Sequence, residues 1–153
     1  LVRDGVALNE LRKADWGVFA VRRGRASLVH TSDWKSRDTR AAEFAIQVGP
    51  RCVVAGVPVK LKAQRARRAI IGVRPDGDVV VAVSLGGKVL SGDLAELVAR
   101  PEADGGLGLV DAVMLDGGGS AQLEALGTDP PISVAGAWPV PNAVMVVRRA
   151  VRR

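Results

Sequence analysis

Apolar residues along this chain recur with a period of two or in short runs bounded by glycine and proline, the pattern of strands more than of helices. Residues 17–22 and 25–31 flank Arg23-Gly24, which predicts a hairpin whose glycine supplies a positive φ. Residues 44–48 and 51–55 predict two strands interrupted at Gly49-Pro50, since proline lacks a donor and fixes φ. Residues 68–74 and 78–84 predict a second hairpin around Pro75-Asp76-Gly77. A strand is predicted over 110–115 and a last apolar strand over 143–147; residues 121–126 read as a strand or a short helix. Helical spacing is clear in one place: Leu94, Leu97 and Val98 follow Ser91, a residue suited to capping, and Asp93, with a stop at Pro101. Residues 31–42 are polar and read as a loop or a short helix. Many strands without repeating strand–helix alternation predict an α+β fold, a strand-rich mixed or antiparallel sheet with few helices.

Length and composition narrow the class. The 153 residues suit one domain, taken as 1–153, and 48% hydrophobic with 25% charged residues can fill a core. No apolar run exceeds that of residues 79–83, far short of the roughly 20 residues of a membrane span. Leu1 is not an initiator methionine, and no basic stretch leads into an apolar one, so no leader is expected within these residues. Cys52 has no partner for an intrachain disulfide and is expected to be a small buried thiol.

Charge adds a candidate chemistry. The net charge is +6 and Arg outnumbers Lys 17 to 5, which favours an anionic partner. Arg148, Arg149, Arg152 and Arg153 are expected to form a solvated tail. Arg51, Lys60, Lys62, Arg65, Arg67, Arg68 and Arg74 lie in a stretch with no acidic residue between Glu43 and Asp76; a solvated face and a phosphate site fit it equally. Aromatic residues make up 3% and Tyr is absent, so few rings serve base stacking and nucleic acid is disfavoured. With His30 the only histidine and no Cys-x-x-Cys, no metal site or Ser-His-Asp triad is expected.

The most unusual segment is Asp116-Gly117-Gly118-Gly119-Ser120, directly after a predicted strand. Three ordered glycines are costly in entropy, so they imply positive φ or close approach. Their N–H groups can cradle an anion or a sugar hydroxyl beside Asp116. A plain glycine turn, with Asp116 accepting its N–H groups, fits the same spacing. Asp111 and Glu124 are weaker carboxylate candidates.

Several segments together resemble the phosphodiester glycosidases related to the mannose 6-phosphate uncovering enzyme, which also occur as bacterial exopolysaccharide-associated proteins. Ala45-Ile46-Gln47-Val48-Gly49-Pro50-Arg51 with Val54-Ala55-Gly56, Arg68-Ala69-Ile70-Ile71-Gly72-Val73, and residues 78–84 with 87–97 match in order. Residues 111–120 resemble the family's signature ending in D-G-G-G-S, and residues 140–147 its closing strand. The family's opening N-G-G-F-F strand does not precede residues 1–20 here. Ala69 stands where the family has Ser or Thr, Met114 where it has Asn, Ala121 where it often has Ser, and Trp138 where Arg is common.

The resemblance implies a hydrolase that splits the glycosidic bond of a sugar-1-phosphodiester, small or polymeric, without a cofactor, and favours an extracytoplasmic setting. It implies Asp116 and Arg68 as catalytic residues, with Gln47, Gly117, Gly118, Gly119, Ser120 and Asn142 binding substrate. Each has a structural counterpart: Gln47 capping a sheet edge, Asn142 satisfying a turn, Arg68 paired with Asp116. A non-catalytic carbohydrate-binding or structural domain of the same fold is the alternative.

Overall fold

The computed structural model describes residues 1–147, so the arginine tail from Arg148 onward lies outside the described residues. Strands β1 (Val2–Arg3), β2 (Val6–Ala7), β3 (Gly17–Arg22), β4 (Arg25–His30) and β5 (Phe44–Val48) form one sheet in the order β2-β1-β5-β3-β4. The β3–β4 hairpin runs in register from Gly17 opposite His30 to Arg22 opposite Arg25. Arg23 and Gly24 both take positive φ, 51° and 70°, the pattern of a type I′ turn, whose twist matches that of the strands. Alternation then sorts the faces. Val18, Ala20 and Ala45 pack outward with Val2, Trp34 and Ala42, while Phe19, Phe44, Ile46 and Val48 face the interior. Residues 31–42 fold as a 3-10 turn, Thr31–Asp33, and helix α1 (Ser36–Ala41), and Trp34 is fastened by its Nε1 donating to Thr39 Oγ1 at 2.9 Å.

Further along come β6 (Arg51–Val54), β7 (Val57–Pro58), β8 (Arg65–Ala66), β9 (Ala69–Val73), β10 (Val79–Val83), β11 (Val89–Leu90), helix α2 (Ser91–Ala99), β12 (Asp111–Met114), β13 (Leu123–Ala125) and β14 (Ile132–Val134). The second large sheet has the order β10-β9-β12-β6-β7; β8 pairs β11, and β13 pairs β14. Every recorded pairing is antiparallel, in keeping with the α+β expectation. Ile71, Val73 and Val113 meet Phe19 and Leu28 of the first sheet, whereas Cys52, Ile70, Ala112 and Met114 meet Leu94, Ala95 and Val98 of α2. Each fully buried Ile, Leu or Val in these layers contributes about 2 kcal/mol. Gly17 marks the closest approach of the sheets, for a Cβ there would lie 2.6 Å from Val113 Cγ1.

Two local expectations change and an open one resolves. Leu90, not Ser91, occupies the cap of α2; the Ser91 hydroxyl is buried and donates to Lys62 O at 2.6 Å, because tertiary contact outbids the local cap. Residues 121–126, expected as a strand or a short helix, contain the strand β13. Residues 143–147 are not a strand: Val144 packs on the core between the sheets, but Met145, Val146 and Val147 are exposed. An apolar run becomes a strand only with a partner ladder, and no strand among the described residues pairs with it. No helix among the described residues is long and apolar enough to cross a membrane.

Cys52 is fully buried on β6, and burial pushes its thiol up to about 12. The thiolate is the reactive form, so native protein is expected to react with a maleimide at least about a hundredfold more slowly than unfolded protein. Fast labelling without unfolding would contradict this burial.

Candidate active site at the triple-glycine loop

Strands β9 and β12 are neighbours, with Met114 opposite Ile70, and Leu115 N donates to Ala69 O at 2.8 Å. Asp116 follows two residues after the end of β12 and Arg68 directly precedes β9, so the antiparallel pairing puts both at the same end of the sheet. Strand pairing thus carries two segments 48 positions apart to one end of the sheet. Gly118 N then donates to Arg67 O at 2.9 Å, seating the glycine loop on the Arg67-Arg68 backbone. Gly118 has φ 63°, a conformation that suits glycine, and a Cβ on Gly117 would lie 3.0 Å from Arg67 O and 3.8 Å from Arg68 Nη1. Close approach, and positive φ at Gly118, account for the glycines here.

Asp116 is exposed, and its Oδ1 accepts from Gly117 N at 2.9 Å, as the turn reading expected. Arg68 is half-buried. Ser84 holds its backbone, Arg68 N donating to Ser84 Oγ at 2.9 Å, and its Nη2 donates to Gln64 O at 2.6 Å. No ion pair joins Arg68 to Asp116 among the described residues. The Nε donors of Arg67 and Arg68 are buried without a partner, which is uncommon for such groups.

Trp138 completes this neighbourhood. Its ring covers Gly119, where a Cβ would lie 2.6 Å from indole carbons, and its Nε1 donates to Ser120 Oγ at 3.0 Å. The Ser120 hydroxyl is therefore engaged within the loop. In the sequence Trp138 stands out only as a departure from the family pattern and as one of three tryptophans. Arg67 was noted only as part of a basic run, yet its Nη1 ties the loop's surroundings to Ala135 O at 2.9 Å.

Gln47 and Asn142 do not join this group. The Gln47 amide accepts from Arg12 N and donates to Arg12 O, both at 2.8 Å, and to Thr31 Oγ1 at 3.1 Å. It fastens the loop before β3 and lines a cavity of about 220 Å³ on the outer face of the first sheet, together with Leu1, Glu10 and Trp34. Asn142 is exposed in irregular chain. Glu124 accepts from Ser133 Oγ on the small hairpin β13–β14, and His30 contacts Asp15 and Ser32. Among the described residues no cluster of three or more His, Cys, Asp or Glu is placed to hold a metal ion.

Asp111 starts β12, roughly 16 Å along the strand from Asp116, and accepts from Ala55 N at 3.2 Å. Desolvation raises its pKa, against opposing terms from that hydrogen bond and from Arg51. A carboxyl raised on folding disfavours the fold above its folded value, and this penalty disappears as pH falls below its unfolded value. Asp111→Asn keeps an acceptor for Ala55 N. It is expected to raise Tm at neutral pH, the gain shrinking to nothing in acid; thermal unfolding across pH checks the sign.

The basic run divides in two. Arg51, Arg67, Arg68 and Arg74 are half-buried and bound into the fold, Arg51 to Asp15 and Arg74 to Glu102 and Leu107 O, while Lys60, Lys62 and Arg65 are exposed.

Compared with known proteins, residues 1–147 match the family model described as phosphodiester glycosidase. No curated protein matches the chain.

Proposed function

This chain belongs to the phosphodiester glycosidase family, and from that premise we propose that it hydrolyses a sugar-1-phosphodiester, small or polymeric, at the glycosidic bond, acting through Asp116 and Arg68 as one domain. The observation that carries the reading is the antiparallel pairing of β9 with β12, which puts the loop bearing the exposed Asp116 and the segment bearing Arg68 at one end of the sheet with no ion pair between them. The planar guanidinium of Arg68 is the kind of group that suits a phosphate oxygen. In the reaction, water attacks the anomeric carbon and gives its proton to Asp116. The bond from that carbon to the phosphate oxygen breaks, and its electron pair leaves on a phosphomonoester beside Arg68. A phosphate leaving group is a weaker base than an alkoxide, so one carboxylate suffices where ordinary glycosidases use two. Gly117, Gly118, Gly119 and Ser120 form the floor, and Gln47 and Asn142, away from this loop, have no part in the step.

Hydrolysis in heavy-oxygen water tests the reaction. Label is expected in the sugar's anomeric hydroxyl, with unlabelled phosphomonoester; label in the phosphate would mean phosphorus–oxygen cleavage and overturn the assignment. A second reading, carbohydrate binding without catalysis, is favoured by the capture of Ser120 Oγ by Trp138, which takes one polar group from the floor. Sugar binding with no turnover of any sugar-1-phosphodiester would establish it.

A further inference from the structure

We propose that the indole of Trp138 is a stacking platform for the pyranose ring of the ligand, so that this site takes a neutral sugar by its C–H-bearing face next to the group held by Arg68. The ligand class rests on the glycosidase reading, but the platform is argued from Trp138 itself. Large aromatic side chains belong in cores or interfaces, yet Trp138 is 59% exposed. It is held in place nonetheless: one part lies on Gly119, its only donor is satisfied by Ser120 Oγ, and the preceding residue is tied down by Ala137 N donating to Gly119 O at 2.8 Å. Gly136 closes the same turn, where a Cβ would lie 2.8 Å from Gly119 O. The chain thus pins an exposed ring to the loop that carries Asp116.

The electron-rich face of an indole attracts polarised C–H bonds, and the axial hydrogens of a pyranose present a flat array of them. An indole bears no charge, so it offers nothing to an anionic group; Arg68, whose Nη1 lies 3.8 Å from the Cβ position of Gly117, serves that end of the ligand. Trp138 on Gly119 and Arg68 at Gly117 therefore flank one loop with complementary tasks.

Tryptophan fluorescence reads the platform directly, since Trp34 is buried and Trp16 half-buried. Titrating the full chain with methyl pyranosides of the gluco, galacto and manno series and their N-acetylamino counterparts is expected to give saturable quenching with at least one. Trp138→Ala is expected to weaken that sugar's binding about tenfold or more, as isothermal titration would report, and Trp138→Phe to restore most of it. Circular dichroism at the titration temperature is expected to show both variants folded, with Trp138→Ala losing some Tm because the ring's contact with Gly119 and its bond to Ser120 Oγ go. Absence of saturable binding of every pyranoside, or equal binding by wild type and Trp138→Ala, overturns the platform. Trp138-dependent binding in a protein that turns over no sugar-1-phosphodiester would uphold the platform while refuting the hydrolase.

Discussion

Asp116→Asn is expected to lower kcat on a sugar-1-phosphodiester by roughly a thousandfold while leaving Tm within about a degree of wild type. The change keeps size and removes the charge. Asparagine Oδ1 still accepts the Gly117 N–H that Asp116 accepts at 2.9 Å, so the turn keeps its bond, and an exposed side chain carries no core packing with it. No ion pair with Arg68 is lost, which separates this variant from a structural one. Initial rates and thermal unfolding on the same preparations decide the matter. Near wild-type turnover would leave Asp116 a turn residue, and unfolding in place of inactivity would say the same. Arg68→Ala complements it. Loss of the phosphate's cation is expected to raise KM as well as lower kcat, because the anion is bound in both ground and transition states.

The largest effect on stability is expected away from the site. Gly106→Ala should cost about 3 kcal/mol and lower Tm by roughly 10 °C. A Cβ at residue 106 would lie 2.0 Å from Arg100 O and 2.5 Å from Arg100 C, and backbone atoms cannot rotate aside as a side-chain tip can. That carbonyl also accepts from Gly108 N at 2.8 Å, and the next residue, Leu109, donates to Val98 O at 2.9 Å and is buried against α2. Moving Arg100 O therefore disturbs the turn that brings β12 back beneath the helix. Differential scanning calorimetry measures the loss; a Tm shift under about 2 °C would mean that the turn relaxes freely.

Strand periodicity and turn chemistry were legible in the sequence because both act between near neighbours. Arg23-Gly24 and Pro75-Asp76-Gly77 supply the φ values their hairpins need, and both hairpins form where the pattern sets them. The triple-glycine segment was legible as an unusual site for the same reason: glycines of that number in a row are explained only by close approach or positive φ. The family was legible too, since ordered motifs over most of the chain carry more information than any one of them.

What the sequence by itself determined, then, is which stretches alternate, where the chain turns, and which residue types crowd the loop after β12. Tertiary structure alone decided the partners. Residues 143–147 have a strand's pattern but no ladder beside them among the described residues, and Ser91 has a cap's chemistry but a better acceptor in Lys62 O. Gln47 has a binding residue's donors and acceptors, all directed to Arg12 and Thr31, whereas Trp138 lies on the triple-glycine loop across 19 residues from Gly119. The physical reason is common to all four. A local pattern states what a segment can bury or bond, but the free energy depends on which distant group arrives to meet it, and that is set by the packing of the two sheets and the register between β9 and β12.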